Sequence, residues 1–185
     1  MTFQPQIPGF PSNESPLKIG IAGVLLVIDT SNPSALAIAT SVPVPQATFL
    51  TGVSIQGNTA MVVGDSQGIF NIDSGFVGSL VIASFDISNP QSPVHLDSLV
   101  TPLTDQPGAT VVPLGDNSFA IGGTSDNGSP ALVQVDASNP AALTYTIYST
   151  PVVASPEIGK PPYVYALSSV PSSTVNQFSV LQFVP

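Results

Sequence analysis

Asp29-Thr30-Ser31-Asn32-Pro33 returns twice in this 185-residue chain, as Asp86-Ile87-Ser88-Asn89-Pro90 and as Asp136-Ala137-Ser138-Asn139-Pro140. The shared pattern, Asp-x-Ser-Asn-Pro, fixes four of five positions and each time follows an apolar run. The copies are 57 and 50 residues apart. Self-similarity at such a period is typical of repeat proteins, in which each copy marks one supersecondary unit.

The side chains of the repeated stretch suit a turn at the end of a strand. Asp and Asn oxygens accept backbone N–H groups one or two residues on, Ser does so more weakly, and Pro fixes φ for the next position. A catalytic residue is needed once, whereas a scaffold residue is needed once per unit, so recurrence favours a structural role. The predicted turn residues are Asp29, Ser31, Asn32, Pro33, Asp86, Ser88, Asn89, Pro90, Asp136, Ser138, Asn139 and Pro140.

Short apolar runs and turn residues around each copy predict an all-β chain of about thirteen strands, four in each complete unit. Gly57-Asn58 and Gly115-Asp116-Asn117 are the predicted hairpin turns, and prolines break the segment 151–162. Four prolines favour an extended N-terminal arm over residues 1–18. The repeat domain then covers residues 19–185. Its predicted units are 23–77, 78–127 and 128–185.

Two of the apolar runs carry a family resemblance. Leu26-Val27-Ile28-Asp29 and Leu132-Val133-Gln134-Val135-Asp136 resemble the bacterial LVIVD repeat, whereas the middle copy departs from it with Val81-Ile82-Ala83-Ser84-Phe85-Asp86. The resemblance implies a strand of a β-propeller blade in an extracytoplasmic protein. The motif is structural, so it implies no active-site residue.

The blades predicted at the two ends are incomplete. By analogy with propellers, one whole blade covers residues 48–100 and the next covers 109–149. Residues 24–42 then supply two outer strands of a preceding blade, and residues 152–184 supply three strands of a following one. Propellers have four to eight blades, so the roughly three blades of this chain cannot close a ring by themselves. The chain is a fragment of a longer propeller, closes a ring by oligomerising, or joins head to tail through open blade edges. A β-sandwich is the alternative fold.

The composition indicates which classes of partner the protein can bind and in which cellular compartment it is expected. The chain has 43% hydrophobic and only 7% charged residues, with two lysines, no arginine and a net charge of −9. A surface without clustered basic residues repels phosphate backbones, which argues against nucleic-acid binding. Few protease sites and a neutral polar surface favour an extracellular or cell-surface location. The longest apolar run is too short to span a membrane, and without Cys there is no disulfide or thiolate site.

Gly64-Asp65-Ser66-Gln67-Gly68 matches the G-x-S-x-G pattern of serine hydrolases. That pattern needs a strand, a sharp turn and a helix, and the residues that follow it carry no helix signal. His95, the single histidine, is predicted to be a strand residue rather than a general base or a metal ligand. The two glutamates, Glu14 and Glu157, lie in proline-rich segments and give little support to a glycosidase.

Calcium has four weak candidate ligands, because it prefers carboxylate and carbonyl oxygens. They form the pairs Asp65 with Asp73 and Asp116 with Asp126, without the spacing of an EF-hand. We therefore predict no metal, cofactor or catalytic residue. The tyrosines Tyr145, Tyr148, Tyr163 and Tyr165 fit either strand packing or an interface.

The expected function is a non-catalytic extracellular scaffold, with a protein partner that is either a second copy of the chain or the rest of a longer propeller. The alternatives are a propeller-type hydrolase and a module that binds carbohydrate or peptide.

Overall fold

The computed structural model describes residues 23–66, 70–71, 75–76, 78–104, 110–125, 129–150, 153–160, 162–169 and 176–182. The predicted arm at 1–18 lies outside these residues. Within them the chain is all-β, as predicted, with fifteen strands. In chain order the strands are β1 Val24–Asp29, β2 Ala37–Pro43, β3 Phe49–Gln56, β4 Thr59–Asp65, β5 Phe70–Asn71, β6 Gly75–Phe76, β7 Ser79–Asp86, β8 Val94–Thr104, β9 Val111–Gly115, β10 Ser118–Ser125, β11 Pro130–Asp136, β12 Thr144–Ser149, β13 Val153–Lys160, β14 Tyr163–Ser169 and β15 Asn176–Gln182.

The strands form four main antiparallel sheets. Sheet I is β1–β2, sheet II is β3–β4–β7–β8, sheet III is β9–β10–β11–β12, and sheet IV is β13–β14–β15. Two residue pairs between β8 and β10 join sheets II and III into one hydrogen-bonded sheet. The short strands β5 and β6 make a separate hairpin between β4 and β7.

The hairpin turns inside sheets II and III use left-handed backbone. Gly57 has φ 59° at the first position of the β3–β4 turn. Asp116 and Asn117 have φ 49° and 57° in the β9–β10 turn. Turns with positive φ match the right-handed twist of the paired strands, and Gly, Asn and Asp tolerate them best. Both predicted hairpins are therefore present.

Three apolar layers lie between successive sheets. The first layer holds Ala83 and Phe85 of sheet II against Leu25 and Val42 of sheet I. The second layer is the largest of the three and joins sheets II and III. It contains Met61, Val63, Leu80, Ile82, Leu103, Val111, Phe119, Ile121, Ala131, Val133, Val135, Ala137 and Leu143. The third layer packs Val112, Leu114, Ala120 and Leu132 of sheet III against Val164 and Leu181 of sheet IV.

Prolines lie inside β8, β9 and β13, although the sequence predicts a break only in the segment 151–162. β13 continues across Pro156 with a register shift between Pro156 and Ile158. The Pro156 carbonyl accepts a hydrogen bond from the Thr110 hydroxyl, on the segment that leads into sheet III. β8 likewise includes Pro102, near a register shift in its pairing with β7. A bulge lets a strand tolerate a residue that cannot donate to the ladder, so the prediction of a broken segment at 151–162 was wrong.

In the part of the chain that the structure describes, no helix is long and apolar enough to cross a membrane.

Candidate interaction surfaces

The Asp-x-Ser-Asn-Pro stretch has the same geometry in all three copies. The Asp Oδ1 accepts the backbone N–H of the Ser two residues on, at 2.8 Å for Ser31, Ser88 and Ser138. The Asn Oδ1 accepts the N–H two residues further, at 3.1–3.2 Å. The Asn carbonyl accepts the N–H three residues on, at 2.9 Å, with Pro at the first corner. Each stretch thus combines two side-chain turns with one β-turn.

The hydrogen bonds hold each turn carboxylate in its charged form. The backbone N–H of Ser31, followed by its side chain, lowers the pKa of Asp29 below the ordinary 3.8, and Ser88 does the same for the pKa of Asp86. At Asp136 the Ser138 hydroxyl contributes most, and the backbone N–H adds to it, so that this pKa is also lowered. Hydrogen bonds to the charged form favour that form.

In sheets II and III the turns are also tied to the neighbouring hairpin. The N–H of Ile87 donates to the Asn58 carbonyl at 2.8 Å, and the N–H of Ala137 donates to the Asn117 carbonyl at 2.8 Å. The buried Ser84 hydroxyl donates to the Pro140 carbonyl, which joins β7 to the turn of sheet III. These contacts fix the position of the repeated stretch relative to the strands of sheets II and III.

The G-x-S-x-G segment is built into the start of sheet II. Ser66 Oγ accepts the N–H of Ser79 at 3.2 Å, and the Ser66 N–H donates to the Ser79 carbonyl at 2.9 Å. Asp65 is buried, and a Cβ at Gly78 would overlap its carboxylate. Gln67 and Gly68 lie outside the described residues. The segment joins β4 to β7 and is followed by the short strands β5 and β6, whereas a nucleophile elbow is followed by a helix.

His95 has a neighbour that the sequence analysis missed. His95 Nε2 lies 2.7 Å from Ser98 Oγ, and the Phe85 ring meets the imidazole edge-on at 5.3 Å between centroids. The nearby Asp97 carboxylate accepts the backbone N–H of Ser98 and of Leu143, each at 2.8 Å. A catalytic triad needs a carboxylate that orients the histidine, whereas Asp97 braces β8 against the segment entering β12. The His95-x-x-Ser98 spacing was the signal available in the sequence.

Each of the two predicted calcium pairs has one member outside the described residues. Asp65 is buried at the end of β4, and Asp116 is a hairpin-turn residue with φ 49°. Asp73 and Asp126 lie outside the described ranges. Among the residues that the structure describes, no three His, Cys, Asp or Glu side chains are grouped so that they could hold a metal ion.

The outer face of sheet I, the face turned away from sheet II, is apolar and exposed. Val24, Leu26 and Ile28 of β1 alternate with inward residues, and Ile38 of β2 lies opposite Ile28. Leu26 is 49% exposed and Ile28 is 52% exposed. Beside β1, whose second edge pairs with no strand in the described residues, a groove of about 430 Å³ is lined by Leu25, Leu50, Val53 and Val62 among others.

The outer face of sheet IV, turned away from sheet III, is also apolar and is rich in aromatic rings. Tyr165 and Phe178 stack with their ring centroids 5.9 Å apart. The outward residues of this face are Ile158, Tyr163, Tyr165, Leu167, Phe178 and Val180, all of them at least partly exposed. Lys160 lies opposite Tyr163 on the same face and is the basic residue that the structure describes. The other two tyrosines lie on β12, where the Tyr148 hydroxyl donates to Gln134 at 3.1 Å.

Exposed apolar faces of this kind are unusual on isolated soluble domains, where large apolar patches mark interaction sites. Here the two faces lie on the first and last sheets of the stack. They are the arrangement in this structure that is best suited to contact another molecule.

Residues 19–44 match the family described as the LVIVD repeat, a β-propeller-like repeat. No curated protein and no solved structure matches the chain. The matched segment contains β1, the first Asp-x-Ser-Asn-Pro turn and β2. The first copy of the repeated stretch therefore lies in a segment that is similar to the LVIVD repeat.

Proposed function

We propose that this protein is a non-catalytic extracellular scaffold built of propeller-like blades, which assembles with further copies of itself through the exposed faces of sheet I and sheet IV. The observation that carries the proposal is the pair of exposed apolar faces, on sheet I and on sheet IV. Burying apolar surface drives most protein association. Leu26, Ile28 and Ile38 lie side by side on one face, so covering this face with an apolar partner surface lowers the free energy relative to leaving it in water.

Composition supports the extracellular part of the proposal. A chain with no arginine and two lysines offers trypsin-like proteases almost no cleavage site, and its polar surface consists largely of neutral side chains. Fractionation of the producing cells, with antibody detection in medium, envelope and cytosol, tests this part. Recovery of the protein in the cytosol alone would contradict it.

Assembly is tested by size-exclusion chromatography with light scattering on the purified chain. The expected result is a concentration-dependent mass above the 18.9 kDa of one chain. A species that stays at the mass of one chain up to several hundred micromolar would overturn self-assembly.

A hydrolase is the second candidate, because the 2.7 Å contact between His95 Nε2 and Ser98 Oγ is one that a nucleophile and its base require. A fluorophosphonate probe distinguishes the two proposals. The scaffold predicts no labelling of the wild-type chain. Labelling that disappears in Ser98→Ala and in His95→Ala would favour the hydrolase.

A further inference from the structure

We infer that the outer face of sheet I is covered by the outer face of sheet IV of a second copy, so that copies stack head to tail, face on face. The inference rests on the proposed self-assembly and names its contact. The evidence comes from the positions that the repeat uses for packing inside the molecule.

Each sheet has an upstream face, toward the sheet that comes earlier in the chain, and a downstream face, toward the later one. Counting back from the turn aspartate, Leu26 corresponds to Ala83 and Val133, and Ile28 corresponds to Phe85 and Val135. In sheets II and III these upstream residues are 0% exposed, because the preceding sheet covers them. In sheet I the same positions are about half exposed, so its upstream face is a packing face that no other sheet of the described residues covers.

Sheet IV presents the complementary face. The strand after the hairpin turn begins at Thr59 in sheet II and at Tyr163 in sheet IV. Counted from these residues, Tyr165 corresponds to Met61 and Leu167 corresponds to Val63. Val63 and Met61 are downstream residues with no exposure, buried against sheet III. Leu167 is 51% exposed. The downstream face of sheet IV is therefore a packing face against which no sheet of the described residues packs.

The internal interfaces indicate how such faces pair. In the layer between sheets I and II and in the layer between sheets II and III, a downstream face meets an upstream face. A second copy offers its upstream face on sheet I to the downstream face on sheet IV, which repeats this arrangement. An isologous contact would join two faces of the same type, a pairing that neither layer shows.

Charge agrees with the head-to-tail contact. The outward residues of sheet I are Val24, Leu26, Ile28, Ile38, Ser41 and Pro43, which carry no charge. On sheet IV, β13 carries Lys160 on the outer face and the exposed Glu157 beside Ile158, while the chain as a whole has a net charge of −9. Contact through these two faces therefore places no carboxylate of either face against another in a strongly acidic protein.

Site-directed cross-linking tests the inference, because the chain has no cysteine of its own. Leu26→Cys and Leu167→Cys are made as separate chains of different size, mixed, and treated with a short bismaleimide. We expect at least tenfold more mixed cross-linked dimer than from Leu26→Cys with Thr146→Cys, an exposed position on β12. Val24→Cys with Val180→Cys provides a second pair if the first variants fold poorly.

The outcomes separate the two proposals. Like-with-like dimers from Leu26→Cys alone would show an isologous contact and overturn the head-to-tail inference. Assembly by light scattering without cross-linking in either pair would indicate another contact, such as strand addition along the free edge of β1, and would also overturn it. In both cases self-assembly itself would stand. A wild-type chain that remains monomeric would overturn both proposals.

Discussion

Asp136 shows how much of the turn depends on one carboxylate. Its Oδ1 accepts both the backbone N–H of Ser138 at 2.8 Å and the Ser138 hydroxyl at 2.6 Å. Asp136→Ala removes both hydrogen bonds, and we expect the melting temperature to fall by about 2–4 °C. Asp136→Asn keeps a side-chain oxygen that can accept the N–H of Ser138. The melting temperature of this variant should therefore fall by half as much or less. Calorimetry of both variants checks this, and equal losses would show that the charge matters more than the geometry.

The same hydrogen bonds predict a pH dependence. The pKa values of Asp29, Asp86 and Asp136 are lowered in the folded protein, so the unfolded chain binds protons first as the pH falls. The stability that these groups contribute is complete above their unfolded value near 3.8, and it is lost as the pH falls through their folded values. We expect the urea midpoint to drop between pH 6 and pH 3.

The matched variant for this prediction carries Asp29→Asn, Asp86→Asn and Asp136→Asn together. It should lose less of its urea midpoint over the same pH range, because the amides do not titrate. If the variant and the wild type lose equal amounts, other carboxylates control the acid sensitivity.

At the scale of the elements, the β3–β4 hairpin of sheet II and the β9–β10 hairpin of sheet III carry glycines at matching positions. Gly64 and Gly123 each lie five residues after the first residue of the second hairpin strand. A Cβ at Gly64 would lie 2.0 Å from the Phe49 carbonyl oxygen, because β3 continues beside β4 as far as Asp65. A Cβ at Gly123 would be 3.4 Å from Leu103, because β9 pairs with β10 only as far as Ile121.

Gly64→Ala should therefore destabilise the protein by about 1–3 kcal/mol, as overpacking does. Gly123→Ala should change stability by less than about 1 kcal/mol, since alanine suits a strand better than glycine. Urea unfolding of both variants checks the difference. Equal effects would mean that β3 moves aside at little cost.

Much of the element order was predictable from local sequence. Apolar runs place the strands, the glycine and asparagine residues place the hairpins, and the turn aspartates set the repeat. The passage of β13 through Pro156 was not predictable, because it depends on a bulge and on the Thr110 hydroxyl from another segment. The exposure of the two candidate faces could not be predicted for a similar reason. Leu26 and Val133 occupy the same place in the repeat, and only the order of the sheets makes one exposed and the other buried.

At the scale of the whole molecule, charge and apolar surface oppose each other. Each copy carries a net charge of −9, which repels a second copy at low ionic strength. The two end faces carry few charges, so the proposed contact between them would gain little from Coulomb attraction and much from apolar burial. Raising the salt from about 0.01 M to 1 M shortens the screening length from about 30 Å to about 3 Å. Repulsion between copies then fades while burial persists.

We therefore expect the chain to associate more tightly in 1 M NaCl than in 10 mM NaCl, and less tightly on cooling, since apolar burial stabilises less at low temperature. Sedimentation equilibrium at the two salt concentrations measures this directly. Leu26→Asp adds a charge to the outer face of sheet I and should stay near the mass of one chain in both buffers. Dissociation of the wild type by salt would instead identify ion pairs, with Lys160 the first residue to examine, and would contradict an apolar contact.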